Sequence, residues 1–241
     1  MKKKNKAIYL LFLMPFVYFA TACFVVWLVK TSGIYPSGSD TMYHVYRGDY
    51  VYNAIKSGNW YPLYDPAWYN GVEILRYWSP FPAYVMAFCQ YLAGGSQFGA
   101  YLFYIGGVCF LGACVWPFIG RGFNRPYLGA FIGLLWFMPN NLCAIFIEGN
   151  LARSLSMIFL PVFIYSVYKY LYNHKLRYIP LMVFTFLLME LCHLGYAGMV
   201  AIAVIIYGIV YMIQKGRKKA VLDVVISMIF GFMLLGIWLV E

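Results

Sequence analysis

Asp40 and His44 stand four residues apart in Ser39-Asp40-Thr41-Met42-Tyr43-His44, directly behind the first apolar run of membrane length. On a helix, i and i+4 share a face, so a carboxylate and an imidazole would stand side by side at a membrane surface. Arg47 and Val51 extend that face at i+7 and i+11. A carboxylate there suits general-base work. The bland alternative is a helix cap at Ser39 or Asp40 and a solvated histidine. A second polar cluster, Glu148-Gly149-Asn150-Leu151-Ala152-Arg153, joins two apolar runs. Asn150 suits the cap of the following helix. Arg153 in its first turn opposes the helix dipole and calls for an anionic partner: Glu148, Asp40 or a phosphate. A third cluster holds Glu190 and His193 near the end of another run.

The elements that must hold these residues are membrane helices. The chain of 241 residues is 63% hydrophobic and only 11% charged, with mean hydropathy +0.71. That composition excludes a soluble domain and indicates an all-α polytopic membrane protein. The net charge of +10 comes from Lys and Arg in short loops beside apolar runs, so topology accounts for it and nucleic acid is not a partner. The six cysteines lie in apolar segments without a CxxC pair, which fits buried hydrophobes. Ala20-Thr21-Ala22-Cys23 weakly resembles a lipoprotein cleavage box. The run continues to Val29, however, which fits an uncleaved signal-anchor.

Apolar runs cover 7–29, 79–93, 98–119, 127–147, 151–172, 178–194, 196–214 and 221–240. The run 79–93 is short and begins Ser-Pro-Phe-Pro. If it does not cross, 13 of 18 basic residues share the side of the N-terminus; if it crosses, the split inverts. The positive-inside rule selects the first case. Seven spans result, with the N-terminus cytoplasmic, 30–78 as the first extracytoplasmic loop, a helix over 40–56 and an interfacial helix over 79–93. The chain then reads as one transmembrane domain, 1–241. Asp40, His44, Asp49, Asp65, Glu73, Glu148, Arg153, Glu190, His193 and Glu241 gather at the outer side, where gathered ionisable groups signal function. Tyr43, Tyr46, Tyr50 and Ala54 form a second helix face suited to packing on the membrane domain. The segment 58–71 is dense in aromatics, Trp60 and Tyr61 among them, and suits either sugar stacking or an interfacial belt.

An N-terminus inside, one span, then an outer loop opening on an acidic residue resembles the layout of GT-C glycosyltransferases. More closely, the chain resembles bacterial membrane proteins with the 6-pyruvoyl-tetrahydropterin synthase-related domain. The resemblance rests on Gly38-Ser39-Asp40-Thr41-Met42-Tyr43-His44, Gly58-Asn59-Trp60-Tyr61-Pro62, Tyr77-Trp78-Ser79-Pro80-Phe81-Pro82-Ala83-Tyr84, Glu148 to Arg153, Cys192-His193-Leu194 and Gly236 to Glu241. It implies a GT-C-like fold and transfer of a sugar from a polyprenyl-phosphate donor to a glycan or lipid acceptor at the outer face of a bacterial cytoplasmic membrane. It implies Asp40 as base and Arg153 holding the donor phosphate, with His44, Arg47, Glu148, His193, Trp60 and Tyr61 binding substrate or donor. It also implies an N-terminal portion of a longer architecture. No Asp-x-Asp is present, which leaves the participation of a divalent cation open. The alternative reading is a lipid or polysaccharide transporter or a scaffold subunit, marked by a midplane polar site and broken helices.

Overall fold

The computed structural model describes residues 2–68 and 70–239, and of residues 2–11, 237 and 239 the backbone alone. The described residues form ten helices: α1 Lys2–Ser32, α2 Thr41–Lys56, α3 Phe81–Leu92, α4 Gln97–Gly122, α5 Pro126–Leu135, α6 Pro139–Phe146, α7 Leu151–Asn173, α8 Tyr178–Cys192, α9 Leu194–Lys215 and α10 Lys218–Leu239. The protein is therefore an all-α membrane protein. Five helices are long and apolar enough to cross a bilayer: α1 from Phe12, then α4, α7, α9 and α10 to Gly236. Their outward surfaces carry bare apolar side chains such as Phe16, Ile213 and Met233, as a lipid solvent demands.

The expected single span over 127–147 is instead two helices, α5 and α6, bent by 43°. Pro139 accounts for the break: it lacks an N–H and opens α6 at its first position. Helix α8 is a shorter apolar helix of 15 residues. The 79–93 run contains α3, whose 12 residues reach only about 18 Å.

Close backbone approach fixes the bundle. A Cβ on Gly120 would sit 2.7 Å from the Gly129 Cα, so α4 and α5 meet through glycines. The buried Tyr18 of α1 donates a hydrogen bond to the Ala130 carbonyl at 2.8 Å. One core joins α1 and α4 to α7; a second fills α7 to α10. A third, with Val51, Ile74, Leu75, Ala83 and Ala87, holds α2 and α3 to the outer loop.

Contacts sort the polar residues to two ends. At one end Asp40 N–H donates to the Glu148 carbonyl, Ser79 Oγ to the Glu190 carbonyl, and Trp238 Nε1 to the Leu75 carbonyl. At the other, Lys169 Nζ donates to the Gly122 carbonyl, Tyr170 to Asp223, and Arg217 meets His174. Glu241 lies outside the described residues.

Candidate functional site

The joint between the first loop and the 148–153 cluster is built from two glycines. A Cβ on Gly38 would lie 2.6 Å from the Gly149 Cα, and Gly149 itself has φ +68°, a conformation that suits glycine. This contact lets Ser39 Oγ donate to the Glu148 carbonyl at 2.9 Å and seats Asp40 beside the start of α7. Asp40 occupies the N-cap position of α2, yet its side chain makes no capping bond. The expectation of a Ser39 or Asp40 side-chain cap is thus corrected: φ −103° and ψ −2° at Asp40 are helical, and the Ser39 hydroxyl serves Glu148. The Asp40 carboxylate is exposed, and its nearest donor is Ser39 Oγ at 3.4 Å.

Asp40 opens a pocket of about 520 Å³ that also takes in His44, Arg47, Trp68, Asn150 and His193. Asp40, His44 and Arg47 do share a face of α2. Val51 does not join them: it is fully buried in the third core with Ile74 and Leu75. The tyrosine face expected to pack on the membrane domain is also corrected. The buried face of α2 is Thr41, Val45, Gly48 and Val51, where Gly48 leaves room for Met86 of α3. Tyr46 and Tyr50 turn to the loop, donating to Asp65 and to the Tyr64 carbonyl.

Arg47 is only 2% exposed. Its Nη2 donates to the Trp78 and Ser79 carbonyls at 3.0 and 3.2 Å, and its Nε has no partner. Among the described residues neither ion pair involves it. Its guanidinium carbon also lies 5.4 Å from the centre of the Tyr43 ring, a cation–π contact, but no carboxylate among the described residues compensates the buried charge. Burial works against that charge and lowers its pKa. Burial, with the charges of Arg47 and His193 adding to it, pushes the His44 imidazole down to about 3. The same cause lowers His193; its own backbone hydrogen bond opposes and Arg153 reinforces the shift. The Tyr43 phenol rises to about 12, mainly from burial. Both histidines are therefore neutral at pH 7, hydrogen-bonding groups beside one fixed cation.

His193 lies between α8 and α9, where its Nδ1 accepts from the Tyr196 N–H at 3.1 Å and caps α9. That leaves Nε2 as the protonated nitrogen of the neutral ring. Asn150 caps α7 as expected, accepting from the Arg153 N–H at 2.9 Å. Of the partners open to Arg153, the structure selects Glu148, at 2.6 Å. Neither lines the pocket, although Arg153 is near enough to act on His193. Glu190 is buried behind the pocket, with Oε2 unpaired.

Trp60 and Tyr61 stand apart from the pocket. Trp60 is 71% exposed, its carbonyl holding the Tyr84 hydroxyl, and Tyr61 packs in the third core. The aromatic lining comes instead from Tyr43, Trp68, Tyr77 and Trp78, with Trp68 set 5.2 Å from Tyr43 and 4.6 Å from Tyr46. Trp68, Tyr77 and Trp78 stood in segments noted in the sequence, the aromatic stretch 58–71 and the Tyr77-Trp78-Ser79-Pro80 motif, but were not assigned to the site. The signal was available in the Arg76-Tyr77-Trp78-Ser79-Pro80 run, whose carbonyls precede a proline and so are not absorbed into a helix. No group of three or more metal-ligating side chains is found among the described residues.

A family model described as the 6-pyruvoyl-tetrahydropterin synthase related domain of membrane proteins matches residues 75–241. The match takes in Trp78, Asn150, Arg153 and His193, whereas Asp40, His44 and Arg47 precede it. No curated protein and no solved structure matches the chain.

Proposed function

We propose, from the premise that this chain belongs to the family of membrane proteins with the 6-pyruvoyl-tetrahydropterin synthase related domain, that it is a membrane glycosyltransferase of GT-C type. The donor is a sugar on a polyprenyl phosphate and the acceptor a glycan or lipid hydroxyl. One observation carries the reading: an exposed carboxylate that caps no helix and meets only the Ser39 hydroxyl, and a buried guanidinium without a carboxylate partner among the described residues, open into one pocket. The acceptor oxygen attacks the anomeric carbon, and Asp40 takes the hydroxyl proton. The bond from that carbon to the phosphate oxygen breaks, and the polyprenyl phosphate leaves with the electron pair. Arg47 stabilises that anion. His44 and His193, neutral, donate or accept hydrogen bonds to phosphate or sugar oxygens. Arg153 acts through His193 and through its pair with Glu148.

The orientation follows from charge. Lys2, Lys3, Lys4, Lys6, Arg121, Arg125, Lys169, Lys175, Arg177, Lys215, Arg217, Lys218 and Lys219 share the end opposite the pocket, and the positive-inside rule makes that end cytoplasmic. The pocket then faces outward from a bacterial plasma membrane. Cysteine accessibility placing Arg121→Cys outside the cell would reverse it.

The transporter reading draws support from the bent α5–α6 pair. The cavity beside that bend is apolar, however, and of polar groups brings only Asn141, two tyrosine hydroxyls and two indole N–H groups. Ionisable side chains converge at the helix ends.

The test is binding of farnesyl phosphate, with farnesol as control, to the full chain in nanodiscs. Farnesyl phosphate should bind and raise the melting temperature, and Arg47→Gln should remove both effects. Equal binding of phosphate and alcohol, or full retention in Arg47→Gln, sinks the reading.

A further inference from the structure

Helix α2 has a third face that the pocket does not use. Tyr46, Asp49, Tyr50 and Asn53 fall at i, i+3, i+4 and i+7, and with Asn59 and Asp65 they line a separate cleft of about 490 Å³ on the outer loop. Its hydrogen-bonding capacity is only partly used. Asp65 is spent: one oxygen accepts from Tyr46 at 2.5 Å and the other from the Ala67 N–H at 2.9 Å. Asp49 Oδ1 accepts from Gln90 at 2.7 Å, which leaves Oδ2 without a partner. Asn59 Oδ1 accepts from the Tyr61 N–H at 3.2 Å, which leaves its amide N–H groups. No hydrogen bond to the Asn53 carboxamide forms among the described residues.

The cleft thus offers one carboxylate oxygen, one complete carboxamide and one amide donor between two tyrosine rings. No cationic side chain lines it, so its chemistry rejects the anion that Arg47 attracts. Ala54, Pro62 and Ala67 also line it, so the cleft mixes apolar with polar surface. Groups that both donate and accept at short intervals, beside aromatic rings, match a ligand whose hydroxyls do both and whose ring C–H faces are apolar. Position adds a second argument. The Tyr46 ring lies 4.6 Å from Trp68, and Trp68 lies 5.2 Å from Tyr43 and lines the first pocket. An aromatic ridge therefore runs from the cleft to the pocket that Asp40 opens.

We propose that this cleft is a saccharide subsite, holding the glycan of the acceptor while its terminal hydroxyl reaches across the Trp68 ridge to Asp40. The inference deepens the glycosyltransferase reading and rests on it. It names an uncharged oligosaccharide as the acceptor class and assigns Asn53 and Asp49 to its recognition.

Saturation-transfer NMR on the full chain in nanodiscs, with maltotetraose, mannotetraose and chitotetraose as probes, tests it. At least one tetrasaccharide should bind, and Asn53→Ala should weaken it roughly tenfold, the scale of one or two lost hydrogen bonds. Asn53 is exposed, so an unchanged melting temperature should accompany that loss. Arg47→Gln should leave saccharide binding intact. No transfer from any of the three, or wild-type affinity in Asn53→Ala, overturns the subsite. Farnesyl phosphate binding is measured on the same samples. If it persists while saccharides fail, only this inference falls; if it also fails, the proposed function falls with it.

Discussion

The two ends of the bundle use the same cation in opposite ways. At the end opposite the pocket, Arg121, Arg125, Lys215, Arg217, Lys218 and Lys219 are exposed, where a charge costs almost nothing. At the pocket end, Arg153 is paired to Glu148, and Arg47 is buried against two carbonyls and the Tyr43 ring without a carboxylate. Burying a guanidinium without a counter-carboxylate costs several kcal/mol before its hydrogen bonds are counted. The two carbonyl hydrogen bonds of Arg47 and the Tyr43 ring offset part of that cost, and a bound anion would offset more of it. On the proposed reading, charge number marks topology in this protein and charge burial marks the site.

The contrast breaks most sharply at Asp40. Asp40→Asn should lower transfer roughly 10²–10⁴-fold, because an amide cannot take the acceptor proton. It should leave the melting temperature unchanged, since the carboxylate caps nothing. The checks are incorporation of labelled sugar from a polyprenyl-phosphate donor and thermal unfolding in detergent. Wild-type transfer in the variant would remove Asp40 from the chemistry. Arg47→Lys is the next step down. It keeps the charge but loses the planar fork that reaches Trp78 and Ser79 while facing an anion. Farnesyl phosphate affinity should fall at least about tenfold, the scale of one charge-assisted hydrogen bond. An unchanged affinity would show that charge alone suffices.

Much of this was legible in the residues. The membrane class, the α2 helix and the Asn150 cap follow from composition, periodicity and capping chemistry, which are local. Asp40, His44 and Arg47 share a face because their spacing is helical, and that too is local. What failed depends on tertiary contacts. Which side of α2 is buried was decided by the Gly48 gap that admits Met86, not by the tyrosines. Trp60 and Tyr61 were attractive as aromatics, but the loop between α2 and α3 turns Trp68 and Trp78 into the pocket instead. The choice of Glu148 by Arg153 was open in sequence and is settled by distance. The break at Pro139 was visible as a proline, but a proline allows a kink without requiring two helices.

The joint that carries Asp40 sharpens the comparison further. At Gly149, alanine would be held at φ +68° with its Cβ 2.5 Å from Thr41 Oγ1. Gly149→Ala should cost about 1–3 kcal/mol in strain and displace the start of α2. Thermal unfolding reads the loss, and transfer should drop with it although no substrate-touching group has changed. A smaller effect is expected from pH. Folding lowers the His44 pKa from 6.5 to about 3, so between those values the unfolded chain binds the extra proton. The stabilising contribution is complete above about pH 6.5 and is lost as pH falls toward 3. The melting temperature should therefore decline from pH 7 to pH 5, and His44→Gln should flatten that slope. An equal slope in the variant would assign the decline to other groups.

The smallest effect belongs to the opposite end. Lys218 and Lys219 are exposed in the first turn of α10, where they oppose the helix dipole. Replacing both with glutamine removes that repulsion and no buried contact, so stability should shift by no more than about 0.5 kcal/mol. Helix α9, which leads from His193 to this turn, has 22 residues and so runs about 33 Å. Over that distance two unit charges interact by only about 0.5 kcal/mol at an effective dielectric of about 20, too little for either lysine to matter to Arg47. Farnesyl phosphate affinity and transfer should match wild type in molecules inserted the right way round. Any change should appear in the fraction correctly oriented, read by cysteine labelling at Ser57→Cys in intact cells. A loss of farnesyl phosphate affinity in purified Lys218→Gln/Lys219→Gln would mean that the exposed cations also serve the site, and the division between topological and functional charge would not hold.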